Sequence, residues 1–295
     1  MNLSESISIS IPTYNRARVL GELIERMLPQ VSDLDEILVV DNASEDNTQQ
    51  VCAQYKRIKY FRNPSTLSMT HNWNLCLEYS TKSWINVFHS DDLPVENYIA
   101  TVRRVLERVP PSLVSTDWTW RTEPLEYSFF SPGRVACSFF DVPVSSVFIH
   151  QSVIQACGFF NDRFDTSPDQ EYYARLAATF PRVVIHSPVL IIKRDLGDRE
   201  LQNAVDARRY IQEYREVLGD ISNHMGLSGI ESQQFIARRL WHACMHLGRM
   251  FYSDGNVKVA CDYLRLLPSK FITKRMMIKR YITKLFPKLY WASLV

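Results

Sequence analysis

Several features that mark particular classes of protein are scarce or absent in this 295-residue chain. Only nine residues are glycine, so a fold built on many glycine-rich phosphate loops is not expected. None of the six cysteines forms a CxxC pair, which favours buried free thiols over a zinc or disulfide framework. No apolar run reaches the roughly 18 residues of a transmembrane helix, and the first 15 residues do not resemble a signal peptide. We therefore expect a cytoplasmic protein.

Acidic residues are absent after Asp262, whereas eight of the 34 basic residues lie in 263–295. The first 262 residues therefore carry 26 basic and 32 acidic groups, a balance of −6 in a chain of net charge +2. Within 269–286, apolar residues recur at helical spacing between lysines and arginines. This pattern is typical of an amphipathic helix on an anionic membrane surface, although a basic helix packed on the body is an alternative. No motif indicates nucleic-acid binding.

The first 200 residues alternate strand and helix patterns. Short β-rich runs lie at 8–12, 36–41, 58–61, 84–88 and 112–116, and helical periods at 16–28, 44–57, 71–80 and 94–109. After an irregular aromatic stretch at 117–143, strands are expected at 144–149, 183–185 and 189–192, and a helix at 168–180. The alternation predicts a mainly parallel sheet with helices on both faces. From residue 201 the pattern is helical, with breaks near Gly219, Gly226 and Gly255. We therefore expect an α/β domain at 1–200 and a helical region at 201–295.

Polar residues follow three of the predicted strands, where ligands of such sheets bind. Tyr14 can stack on a base, and Arg16 opens a helix whose N-terminal amides suit phosphate. The carboxylate of Asp41 either accepts hydrogen bonds from a base or ribose or merely caps the next helix. Asp91 and Asp92 repel each other unless a cation lies between them. Oxygen ligands of this kind suit Mg²⁺ or Mn²⁺, which also bind diphosphates.

Four segments in this order, IPTYNRA, ILVVDNASEDNT, WINVFHSDDL and GFFNDRFDTSPDQEYYARL, resemble family 2 glycosyltransferases of the GT-A fold over about residues 6–195. The resemblance implies inverting transfer of a sugar from a nucleotide-diphosphate donor, most often a UDP-sugar, to an acceptor hydroxyl. It also implies a divalent cation and a glycan or lipid-linked glycan acceptor in O-antigen, capsule or exopolysaccharide assembly. The protein would then lie on the inner face of the cytoplasmic membrane.

The resemblance also implies roles for individual residues. Asp91 matches the last carboxylate of the family's DxD signature, with His89 and Asp92 as further candidate metal ligands. Asp169 matches the general base, and Glu171 is a second candidate base. The implied contacts to the nucleotide sugar are Pro12, Thr13, Tyr14, Arg16, Asp41, Asn72, Ser90, Asp91 and Arg194.

The chain departs from the family pattern in several places, including the loss of the usual glycine in STLSMTHN. His89 stands where the family has the first Asp of DxD, and Pro168 where it has the Glu before the base. Lys193 and Arg194 stand near the position of a missing family histidine, and one or the other is expected to bind diphosphate instead. A degenerate GT-A domain that binds nucleotide sugar or a partner without turnover therefore stays open. A nucleotidyltransferase is a further alternative, but it needs a glycine-rich basic loop that PTYNR lacks.

Overall fold

The computed structural model describes residues 6–116, 126–133, 142–165, 167–186, 190–193 and 204–253, together with Tyr263 and Lys270. The chain divides into two compact units, Met1–Gly197 and Asp198–Val295. Arg194 and the basic tail at 269–295, apart from Lys270, lie outside the described residues.

Strands and helices alternate through the first unit. Its first half contains β1 (Ile7–Thr13), α1 (Ala17–Met27), β2 (Glu36–Asp41), α2 (Thr48–Cys52), β3 (Ile58–Arg62), α3 (Met69–Tyr79), β4 (Trp84–Val87), β5 (Asp92–Pro94), α4 (Tyr98–Leu106) and β6 (Leu113–Thr116). Its second half contains β7 (Glu126–Phe130), β8 (Val147–His150), α5 (Gln151–Cys157), α6 (Pro168–Thr179), β9 (Arg182–His186) and β10 (Ile191–Lys193).

Eight of these strands form one sheet in the order β3-β2-β1-β4-β8-β6-β9-β7, and β5 pairs with β10 in a separate antiparallel ribbon. Strands β3, β2, β1 and β4 are mutually parallel. Only β8 and β7 run against the other strands of the large sheet. The predicted fold class, a mainly parallel sheet with helices around it, is thereby confirmed.

Helices cover both faces of this sheet, because its central strands are apolar on both sides. In β2, Ile37 and Val39 join a core with α1 and α4, whereas Val40 joins the opposite core with α3 and α6. Strands buried on both faces read as continuous apolar runs, as EILVVD does. In this construction, the polar loops follow the C-terminal ends of the parallel strands and lie together on that side of the sheet.

Local signals predicted three element boundaries wrongly. The helix expected at 44–57 is only α2, because the Ser44 hydroxyl donates to Asp41 (2.5 Å) instead of capping a helix. The helix expected from Pro94 begins at Tyr98, because Asp92–Pro94 pairs with β10. Residues 126–130, within the stretch expected to be irregular, form the edge strand β7 beside β9.

The second unit contains the long helices α7 (Ala204–His224) and α8 (Gly229–Ser253). The break expected at Gly219 is absent, since this residue lies inside α7, whereas Gly226 lies between the helices with φ of 65°. Among the described residues, no helix combines the length and the apolar character needed to cross a membrane.

Candidate functional site

The loops after β1, β2 and β4 lie along one edge of the sheet, because these three strands are parallel neighbours. Thr13 pairs with Asp41 at the ends of β1 and β2, and β4 ends beside Ser10 of β1. Helix α6 precedes β9, which runs in the same direction as β6. The first turn of α6, with Asp169, therefore lies toward the same edge. The topology brings together the segments that the sequence singled out.

Hydrogen bonds fasten the loop after β1 to the loop after β2. The backbone N–H of Asn15, a residue with φ of 52°, donates to the Ser44 hydroxyl (2.9 Å), and Glu45 N–H donates to the Asn15 side chain (2.8 Å). Next to this junction Tyr14 is 45% exposed, whereas Pro12 and Thr13 are buried. The Thr13 hydroxyl has no partner among the described residues. An exposed aromatic residue thus follows directly in the chain on a buried threonine whose hydroxyl lacks a partner among the described residues.

The carboxylate of Asp41 is already engaged, which differs from its expected contact with a base or ribose. Its Oδ1 accepts from the Ser44 N–H (2.9 Å) and hydroxyl (2.5 Å), and its Oδ2 accepts from the Tyr60 hydroxyl (2.5 Å). The side chain is 1% exposed, with Arg62 at 3.9 Å. Burial, and then the bond to Asp41, raises the pKa of Tyr60. Asp41 therefore holds the 41–44 turn, and a base reaches it only by displacing these partners.

The N-terminus of α1, expected to bind phosphate, is occupied by a carboxylate of the chain itself. Asp46 Oδ2 accepts from the N–H of Ala17 (2.9 Å), the first residue of the helix. Burial raises the pKa of Asp46, but bonds from Thr48 and Ala17 outweigh it, so the pKa lies below its ordinary value. Arg16, at the N-cap position, is half-buried. A phosphate that binds at this helix N-terminus would have to displace the Asp46 carboxylate.

Three asparagines form a buried network behind the β2 loop. The Asn63 amide donates to the side-chain oxygens of Asn42 (3.0 Å) and Asn72 (2.9 Å), and Asn72 itself donates to Val40 O (3.2 Å). Asn42 also accepts from Leu67 N–H (2.8 Å). Asn72, expected to contact the nucleotide sugar, is 4% exposed. In this structure its amide joins α3 to the end of β2.

The turn after β4 groups three potential metal ligands. One ligand atom from each of His89, Asp91 and Asp92 lies within 4.8 Å of the other two. Asp91 and His89 are half-buried, whereas Asp92 is 4% and Ser90 8% exposed. One imidazole and two carboxylates are a donor set that fits a divalent cation. The sequence predicted these three residues as ligands on the resemblance, and the structure places them close enough to share an ion.

A buried serine that sequence reasoning missed supports this turn. The Ser145 hydroxyl accepts from His89 N–H (2.9 Å) and donates to Asp92 Oδ2 (2.6 Å). Its carbonyl oxygen accepts in turn from the Tyr98 hydroxyl (2.6 Å) and the Asn86 amide (3.0 Å). Because Ser145 is 53 residues from Asp92 in the chain, no local pattern in the sequence could have revealed the contact.

Aromatic rings connect the β4 turn to α6. Trp73 of α3 packs on the His89 ring with centroids 4.7 Å apart, and on Phe160 at 5.5 Å. Phe160 in turn packs on Tyr172 of α6 at 4.2 Å. Burial, followed by the nearby charge of Asp169, raises the pKa of Tyr173. The two ends of the site are therefore linked by packed side chains.

The two candidate bases occupy different environments in the first turns of α6. Asp169 is half-buried, next to Ser167, whose φ is 52°. Glu171 is 2% exposed and forms two bonds with Arg175, at 2.8 and 3.2 Å. Arg175 also donates to the carbonyls of Cys157 and Phe159. Burial lowers the pKa of Arg175, but its bonds with Glu171 raise it above the ordinary value. This environment gives Glu171 a structural role.

Comparison with known proteins extends these observations. Residues 8–127 match the model of the family described as glycosyl transferase family 2. Among curated proteins, the chain is similar to the glycosyltransferase GlyG of Streptococcus pneumoniae serotype 4, with 26% identity over 140 residues that cover 46% of each chain. The chain thus spans about half the length of this curated relative.

Solved structures share the fold. The structure is similar to residues 1–349 of S. aureus TarS, with a TM-score of 0.63 and 14% identity over 97% of this chain and 89% of that one. The complex of TarS with UDP-GlcNAc gives a TM-score of 0.60. The mannosyltransferase PcManGT from Pyrobaculum calidifontis, in complex with GDP-Man and Mn²⁺, gives 0.55 at 15% identity over 96% of this chain and 81% of that one. At such identities the likeness shows the fold alone, which is the GT-A fold predicted from the sequence.

Proposed function

We propose that this chain, which belongs to glycosyltransferase family 2 through its residues 8–127, transfers a sugar from a nucleotide-diphosphate donor to an acceptor hydroxyl. One observation carries the proposal: His89, Asp91 and Asp92 place ligand atoms within 4.8 Å of one another at the end of β4. This group lies on the sheet edge that also carries the β1 and β2 loops. Such an arrangement can hold a cation and a diphosphate at the point where the sheet binds ligands.

The donor nucleotide is best accommodated beside the β1 loop. Tyr14 is the exposed aromatic side chain there, and the buried Thr13 hydroxyl lacks a partner among the described residues. A base stacked on Tyr14 would leave the bonds of Asp41 intact. We expect a UDP-sugar, while the related structures hold UDP-GlcNAc and GDP-Man. The remaining candidate contacts, Arg16 and Arg194, stay predictions.

A divalent cation, when bound, neutralises the charge that grows on the departing diphosphate. Asp91 is the principal ligand in this proposal, because it matches the last carboxylate of the DxD signature and is half-buried at the turn after β4. Ser145 and the chain around it fix the turn, so little reorganisation is needed when the donor enters.

Asp169 is proposed as the general base of a single in-line displacement. It removes the proton of the acceptor hydroxyl as that oxygen bonds to the anomeric carbon. The bond from the anomeric carbon to the diphosphate breaks, and its electron pair leaves with the nucleotide. The anomeric configuration therefore inverts. Glu171 does not take this role, since its carboxylate is buried against Arg175.

The acceptor and the cellular location rest on the sequence. A glycan or lipid-linked glycan in surface-polysaccharide assembly fits the family, and the basic segment 269–295 fits a peripheral position on an anionic membrane. Deletion of 269–295 should release the protein from vesicles that contain acidic phospholipid. Unchanged binding of the truncated protein would contradict the membrane role without affecting the proposed chemistry.

Thermal unfolding with UDP, GDP, dTDP and CMP, each with and without Mn²⁺ or Mg²⁺, tests the proposed function. At about 100 times Kd a ligand stabilises the fold by roughly 2.7 kcal/mol, which raises the Tm by about 5 °C or more. We expect one diphosphate nucleotide to act, more strongly with metal, and Asp91→Ala to abolish the metal effect. Asp33→Ala is the matched control, because Asp33 is exposed at the start of β2, at the opposite edge of the sheet. No response to any nucleotide would instead favour a degenerate domain without turnover.

A further inference from the structure

We infer that His89 supplies a nitrogen ligand to the proposed cation site, and that this ligand makes the site prefer transition-metal ions such as Mn²⁺ and Co²⁺ over Mg²⁺. The inference rests on the proposed function, since it concerns the same cation. It goes further by assigning a role to the residue that departs from the DxD pattern, and by naming the class of metal. The departure then changes the metal preference of the site and does not abolish metal binding.

The position of the imidazole carries the first step. A ring nitrogen of His89 lies within 4.8 Å of carboxylate oxygens from both Asp91 and Asp92. Ligand atoms grouped this closely could share one divalent cation after a small side-chain adjustment. The imidazole is therefore in position to take the place of the first carboxylate of a DxD motif.

The orientation of His89 is fixed from two sides. Its ring packs against Trp73, with centroids 4.7 Å apart and an interplanar angle of 40°. Its backbone N–H donates to the Ser145 hydroxyl, which also donates to Asp92. Trp73 is 6% exposed, and Ser145 is fully buried. A ring held in this way keeps its nitrogen beside the two carboxylates, which is a requirement for a preorganised ligand.

The chemistry of the donor set then decides between metals. Mg²⁺ is a hard ion that binds almost entirely through oxygen and retains several waters. Imidazole nitrogen is a better ligand for transition metals, and the affinity of such a site rises from Mn²⁺ through Co²⁺. Replacing an oxygen ligand by nitrogen therefore weakens the binding of Mg²⁺ relative to the binding of Mn²⁺ and Co²⁺. A nitrogen also adds no negative charge, so the turn carries two adjacent carboxylates instead of three.

Electron spin-echo envelope modulation of bound Mn²⁺ tests the nitrogen ligand directly, because it detects ¹⁴N bonded to the ion. With Mn²⁺ added to the full chain, alone and with UDP, we expect a ¹⁴N signal that changes when the histidines are labelled with ¹⁵N. The signal should vanish in His89→Asp and persist in His71→Asn, since His71 is exposed on α3. Bound Mn²⁺ without nitrogen coupling in the wild type, or no bound Mn²⁺ at all, would overturn the inference.

The metal preference is measured on the same proteins by titration of free Mn²⁺, followed by its EPR signal, with Mg²⁺ as competitor. His89→Asn should lower the affinity for Mn²⁺ by about tenfold or more, since even the loss of a residue that only hydrogen-bonds to a metal ligand lowers metal affinity by that factor. His89→Asp restores an oxygen ligand and should lower the Mn²⁺/Mg²⁺ preference by a similar factor. An unchanged preference in His89→Asp would refute the role of the nitrogen. Nucleotide binding and sugar transfer by the wild type would remain, so this failure is distinct from failure of the proposed function.

Discussion

Replacing Glu171 by Gln separates its structural role from a catalytic one. The Glu171 side chain is 3% exposed, and its carboxylate accepts two charge-assisted hydrogen bonds from Arg175. Removing one partner of a buried ion pair costs about 3–5 kcal/mol. Arg175 is 22% exposed and keeps the carbonyls of Cys157 and Phe159 as acceptors, so we expect about 2–4 kcal/mol here. At about 2–4 °C per kcal/mol, the Tm should fall by about 4–16 °C.

The comparison variant is Asp169→Asn, one turn or less away on the same helix. It removes the proposed base, so turnover should fall by about 10²–10⁴. Its Tm should fall by no more than about 4 °C, because a charge in the first turn of a helix contributes only about 0.3–1 kcal/mol. Urea or thermal unfolding gives the stability, and initial rates of sugar transfer to the acceptor give the turnover. The reasoning is refuted if Glu171→Gln keeps its stability yet loses turnover while Asp169→Asn remains active.

Two further predictions concern buried hydrogen bonds. Ser145→Ala removes one hydrogen-bond partner from the His89 N–H and one from the Asp92 carboxylate, so the Mn²⁺ affinity should fall by about 10–100-fold. The control Ser146→Ala loses only a bond to a backbone carbonyl and should retain the Mn²⁺ affinity of the wild type. Equal losses of affinity in Mn²⁺ titrations of both variants would contradict the role of Ser145. Burial raises the pKa of Asp35, but the bond from Arg103 and other donors hold it below its ordinary value. A lowered folded pKa stabilises the protein above the unfolded value of about 3.9 and loses that effect as the pH falls through the folded value. The Tm of the wild type should therefore fall more steeply below about pH 4 than that of Asp35→Asn; parallel Tm curves between pH 3 and 7 would show that Asp35 contributes nothing.

The strands were predictable because burial dictates their composition. Segments such as EILVVD are apolar on both faces, and only a central parallel strand has that environment. The parallel order of the strands then predicted that the polar loops lie together at one edge of the sheet. Boundaries were less predictable, because they depend on partners that are remote in sequence. Pro94 would suit the first turn of a helix, yet strand pairing with Ile191 keeps it in β5.

The candidate site likewise combines residues that the sequence could predict with contacts that it could not. Residues that follow strands, such as His89 and Asp91, could be singled out from sequence order alone. The engagement of Asp41 by Tyr60, and of Glu171 by Arg175, depends on side-chain packing that the sequence does not display. A carboxylate next to a family motif looks the same in sequence whether it faces a ligand or a buried donor. Only the structure distinguishes the two.

Helix α3 shows how the parts of the site depend on one another. Within five residues, Thr70 donates to Phe164 O (2.6 Å), Asn72 donates to Val40 O, and Trp73 packs on the His89 ring. Asn74 binds both the N–H and the carbonyl of Phe160. One helix therefore positions the end of β2, the turn after β4 and the loop that leads into α6.

A site assembled from separate loops needs such a common support, because an error of about 1 Å in one group costs a large part of the rate. Thr70 and Asn72 of α3 are buried, and each donates to a backbone carbonyl, which leaves these two side chains little freedom to bind a ligand. The segment THNWN therefore supports the site through the residues it positions, and a contact of Asn72 with the donor stays a prediction. On this view, a substitution in α3 should shift metal affinity and turnover together, since His89 and the first turn of α6 are supported by the same helix.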